Sequence, residues 1–204
     1  MVEAVNLLEK KLNIFSIQAV LTPSGELYKI TVGDIHDSFK KAVEYSKAVS
    51  CIKLKQKGNI VLTVAPPPLD IDLYQSQKAL ENGKLALKEK GIIILYSKCP
   101  KGIGPEIFMD LLSSEDSPKD VLNKIKKGYK LGYHKAAKIA ELSCHSDIWA
   151  VTSIDDKTIK KAFMKPYKNL QKALDDAIKE TKQKGKKPRI IIMPSASLTV
   201  PHTN

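Results

Sequence analysis

Three consecutive prolines, Pro66-Pro67-Pro68, follow a β-branched apolar run, and this break constrains the fold more than any other feature of the chain. Residues 59–65, Asn-Ile-Val-Leu-Thr-Val-Ala, lack a polar alternation and read as a strand buried on both faces. Proline has no N–H to give to a sheet ladder, so the strand stops there. Asp70 then offers a side-chain acceptor to the first N–H groups of a helix. From Leu73 the spacing is helical: Leu73, Leu80 and Leu87 are heptad-spaced, with Ala79 and Ala86 beside them. Gln75, Lys78 and Asn82 share a different face.

A second apolar run, Gly91-Ile92-Ile93-Ile94-Leu95-Tyr96, follows the helix after one short turn. Strand, helix and strand make a β-α-β unit, whose strands are parallel and whose crossover is right-handed. The alternation of elements along the chain predicts an α/β fold: a mixed, mostly parallel sheet with helices on both faces, three-layered and Rossmann-like. A single domain is expected over residues 1–204, since no linker or internal repeat divides them. Such sheets take ligands outside the carboxyl ends of their strands, where helix N-termini point. Gln75 and Lys78 stand in the opening turns of such a helix. An amide and a cation there, added to the positive helix end, suit a small carboxylate. The second strand opens into residues 97–105 at the same sheet end. Gly102 and Gly104 allow backbone to approach a ligand closely, or form a helix-entry turn with Pro105 at the first helical position.

Elsewhere the pattern predicts an amphipathic helix over 2–12 and a hairpin of strands 13–21 and 26–32 around Thr22-Pro23-Ser24-Gly25. Gly33-Asp34 ends the second strand. A helix over 36–49 and a short strand over 50–55 lead to the central unit. Further helices are expected at 106–112, 121–127, from 129–134 to about 142, 155–163 and 167–184. Strands are expected at 147–151 and 189–193, the latter as the last core strand, with 194–204 a loop at its carboxyl end.

The net charge of +12 invites a nucleic-acid reading, but 33 of the 34 basic residues are lysine and only Arg189 is arginine. Phosphate and base recognition draw on the planar fork of arginine. The lysines are also spread along nearly every amphipathic segment, so a solvated face is expected and no nucleic-acid partner. Cys51, Cys99 and Cys144 are odd in number and widely spaced, which argues against a disulfide framework and for a reduced, cytoplasmic setting. No apolar run approaches the ~20 residues that span a bilayer, and no signal peptide is read at the start, so no membrane partner is expected. His36, His134, His145 and His202 are scattered, and the chain is expected to hold no metal of its own. No nucleophile elbow, Walker loop or dinucleotide fingerprint follows a strand. Cys99, in its glycine-bearing loop, is either an activated thiol or a buried inert one.

The stretch Pro68-Leu69-Asp70-Ile71-Asp72-Leu73-Tyr74-Gln75-Ser76-Gln77-Lys78-Ala79-Leu80 resembles the signature of the nickel-dependent lactate racemase family. Residues 91–95, the loop 99–104, the segment 131–137 and the tail 194–201 are similar too. The resemblance covers nearly the whole chain, but only the C-terminal domain of that family. It implies an isomerase that racemises a 2-hydroxy acid through a nickel-pincer nucleotide, which takes hydride from C2 and returns it to either face. The cofactor sits on a histidine- and lysine-bearing N-terminal domain that has no counterpart in these residues. That domain, or a separate subunit, is therefore an expected partner, and the isolated chain is expected to be inactive. Carried over by position, Lys78 and Gln75 face the reacting molecule as catalytic residues, while Tyr74, Gly102, Gly104 and Leu131 line the substrate. The chain departs from the pattern at Ala65-Pro66, where paired glycines are usual, at Lys98, and at Leu131, near which lactate enzymes place a tryptophan. The resemblance thus leaves the hydroxy acid open. A second reading is a non-catalytic domain of the same fold that binds a small anion or a partner.

Overall fold

The computed structural model describes residues 2–203, and the chain divides into two compact units, Met1–Cys51 and Ile52–Asn204. In the first, helix α1 (Val2–Glu9) is followed by strands β1 (Phe15–Leu21) and β2 (Leu27–Asp34) and helix α2 (Ile35–Ser50). The strands form the expected antiparallel hairpin, with Ile17 opposite Val32 and Ala19 opposite Ile30. Strand β2 runs on through Gly33 to Asp34, whose carboxylate also caps α2 by accepting from the N–H of His36 and Asp37 (2.9 and 3.1 Å). The face turned inward is small and polar, with Ser16, Val20 and Thr31 buried, and Thr31 Oγ1 donates to the carbonyl of Ser38 at 2.8 Å. The other face carries Phe15, Ile17, Leu21, Ile30 and Val32, each 54–72% exposed. The hairpin is more apolar outside than in.

The second unit holds the central sheet. Its elements are β3 (Cys51–Lys53), β4 (Gly58–Val64), α3 (Leu73–Ala86), β5 (Leu87–Tyr96), α4 (Glu106–Leu112), α5 (Pro118–Lys127), α6 (Tyr133–His145), β6 (Asp147–Val151), α7 (Asp156–Lys161), β7 (Met164–Tyr167), α8 (Leu170–Gln183), β8 (Ile190–Met193) and β9 (Val200–His202). Five parallel strands run in the order β7-β6-β5-β4-β8. The chain works outward from β4 to β7 and then returns to the other side of β4, so the order reverses beside β4. One side of the sheet packs α3 to α7 over Val61, Ile93, Leu95 and Ala150; the other packs α8 over Ile60, Leu62, Ile92 and Ile94. This is the three-layer arrangement that the alternating elements predict. On the α8 side Trp149 stacks on Tyr167 with ring centroids 5.0 Å apart, and Lys165 Nζ lies 4.2 Å from the Trp149 ring.

Several boundaries move. Leu87 begins β5 instead of extending α3, and α6 starts at Tyr133, after Gly132 with φ +105°. Strand β8 is an edge strand whose Ile190 and Ile192 are exposed, because only β4 pairs with it. Two strands have no sequence counterpart above. β7 is four residues long with Pro166 inside it, and β9 pairs with β3, where Leu54 N–H donates to His202 O at 2.8 Å. The tail before β9 closes on the sheet end: Ala196 N–H donates to Val64 O (3.0 Å) and Asn82 Nδ2 to Ala196 O (2.8 Å). Gly83 sets how close α3 comes to the sheet, since a Cβ there would run into Thr63 and Ile93.

Candidate functional site

The loops leaving β4 and β5 are bonded to each other residue by residue. Cys99 N–H donates to Asp70 O (2.8 Å) and Lys101 N–H to Ile71 O (2.9 Å); in return Leu73 and Tyr74 N–H donate to Gly102 and Ile103 O (3.0 and 3.2 Å). Ser76 Oγ, 2.7 Å from Ser97 Oγ and 2.8 Å from the carbonyl oxygen of Asp72, knits the helix to both loops. The two loops therefore converge at the carboxyl end of the sheet.

Asp72, and not Asp70, caps α3. Its Oδ1 accepts from the N–H of Gln75 at 2.7 Å. The turn closed by Leu69 N–H on Pro66 O (2.9 Å) consumes chain, and the Asp70 carbonyl is held by the second loop, so the cap falls two residues later than the first available carboxylate. Leu73, Tyr74 and Gln75 N–H thus all have acceptors, and Ser76 N–H bonds to Asp72 O at 3.0 Å. A helix start normally leaves such donors unsatisfied. Here the loop and the cap take them, so an anion at this site must be gripped by side chains.

Those side chains are few. Tyr74 is half-buried and meets the edge of Phe108 with ring centroids 5.6 Å apart. Gln75 is half-buried and Lys78, three positions on, is exposed and in no ion pair among the described residues. Gly104 has φ +87°, and a Cβ there would come 2.9 Å from Tyr74 Cβ and 3.2 Å from Asp72 Oδ2. Only glycine lets this loop close on the helix start. Gly102, at φ +74°, has open space beside it, and its carbonyl anchors Leu73. Pro105 is the residue before α4, one position earlier than a first helical residue. Tyr74, Gln75, Lys78, Gly102 and Gly104 are thus gathered at one end of the sheet, while Leu131 stands on the segment ahead of α6, 78% exposed.

One residue at this end went unread. Lys135, in the first turn of α6, donates from Nζ to Tyr74 O at 3.3 Å, and the same nitrogen lies 4.8 Å from the Tyr74 ring centroid. Burial, together with the neighbouring charges of Lys78 and Lys138, holds its ammonium below the usual lysine range. It lies inside the family-like stretch 131–137, but no spacing in the sequence links it to Gln75 or Lys78.

Cys99 is 1% exposed, has φ +50° and places Sγ within 3.4 Å of Ser97 Oγ. Burial pushes its thiol up, so the inert reading of the two holds. Among the described residues no group of three His, Cys, Asp or Glu side chains is placed to hold a metal, and His36 is bonded to Glu9 at 2.7 Å. The described residues do not fit a metal centre. No described helix is long and apolar enough to cross a membrane. On the α8 side, Val64, Pro66, Asp70, Tyr96, Lys98 and Val151 help to line an open cleft of about 510 Å³ at the same sheet end.

Residues 53–200 match the lactate racemase C-terminal domain. The chain belongs to this family. It is 29% identical over 171 residues to a lactate racemase of Thermoanaerobacterium thermosaccharolyticum, a match over 81% of this chain and 40% of the relative. With a lactate racemase of Lactiplantibacillus plantarum it shares 23% over 185 residues, 88% of this chain and 43% of that one. The solved lactate racemase apoprotein from T. thermosaccharolyticum superposes with a TM-score of 0.84 at 25% identity, over 92% of this chain and 45% of that chain. A Thermotoga maritima protein shares the fold at a TM-score of 0.64 and 14% identity, over 99% of this chain and 52% of its own. The chain therefore spans about two fifths of the curated racemases it matches. Family membership supports a racemase-related role, and the five-stranded parallel sheet flanked by helices matches the fold of the lactate racemase apoprotein.

Proposed function

We propose that this chain is the substrate-side domain of a racemase or epimerase that interconverts the configurations of a small 2-hydroxy acid by reversible hydride transfer. The observation that carries this reading is the gathering of Tyr74, Gln75 and Lys78 on one helix start, locked by the Gly102–Gly104 loop, in a chain of the lactate racemase family. In this reading a nickel-pincer nucleotide, held by an amino-terminal domain on the same polypeptide or a separate subunit, supplies the hydride-accepting chemistry.

The chain's own residues bind and orient. Lys78 places an ammonium against the substrate carboxylate or against oxyanion character developing at the substrate. In a water-poor cleft such a charge is worth several kcal/mol. The Gln75 amide offers a donor and an acceptor to the substrate oxygens. Tyr74, braced by Phe108, supplies an apolar wall that excludes water. The need for a covering partner is supported by the hairpin: Phe15, Ile17, Leu21, Ile30 and Val32 form an exposed apolar face of the kind that marks an interface. The partner that fits is the amino-terminal domain, because the relatives are more than twice as long as the stretch this chain matches. A reducing, cytoplasmic setting agrees with three free cysteines.

The test is to assemble the chain with an amino-terminal racemase domain loaded with cofactor, and to follow D- and L-2-hydroxy acids by chiral chromatography. Interconversion by the assembly, and none by the chain alone, is expected. A loaded assembly that binds 2-hydroxy acids without turning any over selects the non-catalytic anion-binding reading instead.

A further inference from the structure

Lys135 is held at both ends by the helix it faces. At its ammonium, Nζ donates to the carbonyl oxygen of Tyr74 (3.3 Å) and stacks over the Tyr74 ring (4.8 Å). At its backbone, the carbonyl accepts from Nε2 of the fully buried Gln77 at 2.7 Å. The stem is thus pinned across the first turn of α3, and the charge is delivered beside Tyr74 and Gln75. An ammonium carries three N–H donors, and Tyr74 takes one of them. No carboxylate forms an ion pair with Lys135 among the described residues. The two acids whose charge reaches it are engaged elsewhere: Glu81 by Lys84 (3.2 Å) and Lys138 (3.0 Å), and Asp72 by the N–H of Gln75 (2.7 Å).

A half-buried cation with spare donors, no ion-pair partner and a second lysine next to it is costly in the empty protein, and an anion relieves that cost. The backbone donors of the α3 start are already spent on Gly102, Ile103 and Asp72, so an anion arriving there has only side chains to bind. We propose that Lys135 is a second cationic ligand of the substrate carboxylate, acting with Lys78 from the opposite helix. This inference rests on the reading of the α3 start as the substrate side. It assigns to Lys135 a role that the family-like stretch 68–80, with Gln75 and Lys78, does not contain. Two cations, one fixed by Tyr74 and one exposed on α3, also select for a carboxylate over a neutral hydroxy compound.

The experiment is a titration of the 204-residue chain with sodium L-lactate at constant ionic strength, followed by amide NMR shifts. It is repeated on Lys78→Ala, Lys135→Met, Lys135→Gln, Lys135→Arg and, as a control, Lys88→Ala. Shifts clustered at residues 74–78 are expected in the wild type. Lys135→Met keeps an apolar stem on Tyr74 but loses the charge, and should weaken binding about 10-fold. Lys135→Gln should do the same if Lys135→Met fails to fold. Lys135→Arg should restore most of the affinity, and Lys88→Ala should leave it unchanged. Binding weakened by Lys78→Ala but untouched by loss of the Lys135 charge overturns the inference and leaves the substrate-side reading standing. Loss in Lys135→Met that Lys135→Arg does not restore makes the residue a packing tie, and also overturns it. A wild-type chain that shows no lactate-dependent shifts overturns the Lys135 inference, while the substrate-side reading is decided separately by the assembly assay with D- and L-2-hydroxy acids.

Discussion

The N–H of Leu73 donates to the carbonyl oxygen of Gly102 at 3.0 Å, across two loops that leave neighbouring strands. That bond, with its Tyr74–Ile103 companion, fixes where the first turn of α3 begins. It also removes the backbone of that turn from ligand binding. Site formation and helix capping are therefore one event in this fold, which single substitutions at Asp72 and Lys78 can separate.

Replacing Asp72 with Ala removes the acceptor of the Gln75 N–H and should cost about 1 kcal/mol of unfolding free energy. Asp70→Ala, which touches no helix N–H, should stay within about 0.5 kcal/mol. Chemical denaturation of the two variants side by side measures the difference. Equal losses would return the capping role to both aspartates.

Lys78→Ala, in a complete cofactor-loaded assembly, should lower turnover or specificity by about 10²-fold or more while leaving folding within about 0.5 kcal/mol. Lys88→Ala is the cleaner control on this part of the chain, since Lys84 is paired with Glu81. Steady-state kinetics with both enantiomers decide it, and full activity in Lys78→Ala would reduce the residue to a solvated lysine.

Gly83→Ala should destabilise the fold by about 1–3 kcal/mol, although alanine is the better helix former. The added methyl meets Thr63 and Ile93, which belong to the sheet and have no room to retreat. Thermal unfolding shows the sign directly, and a rise in midpoint would mean that α3 shifts freely on the sheet.

Cys99 should resist alkylation by iodoacetamide below pH 9 under conditions where the half-buried Cys51 and Cys144 react. Burial raises its thiol above the ordinary value of 9.0, so above that pH the unfolded chain sheds a proton that the folded chain keeps. The contribution of Cys99 to stability is therefore complete below about pH 9 and falls as the pH climbs toward the raised value. Cys99→Ala should flatten that alkaline loss, read from denaturation midpoints across the range.

Ile17→Lys and Ile30→Lys should leave the unfolding of the isolated chain nearly unchanged, because both side chains already face water. The same changes should prevent assembly with the amino-terminal domain, measured by light scattering after chromatography. Assembly that survives both places the interface elsewhere.

The central unit is legible in the sequence because local chemistry and long-range packing agree there. The runs 59–65 and 91–96 are apolar on both faces, and the prolines and the Leu73 spacing mark the turn into the helix. Where they disagree, the reading slips. Asp70 and Asp72 offer the same carboxylate, and only the second loop, distant in sequence, decides which one caps. Strands β7 and β9 each contain a proline and four or fewer residues, so their existence is set by the neighbour they pair with. Lys135 reaches the site only because Gln77 and Tyr74 hold α6 against α3. No periodicity encodes a meeting between residues 58 and 61 positions apart.

The stack of Trp149 on Tyr167, with Lys165 above it, settles what light can report from this protein. The chain has one tryptophan, and it is 2% exposed on the α8 side of the sheet, away from the layer that contains α3. Its emission will follow the release of the β6–β7 edge during unfolding, while a ligand docking at Tyr74 leaves it unchanged. An optical assay of occupancy therefore needs a fluorophore introduced near Tyr74.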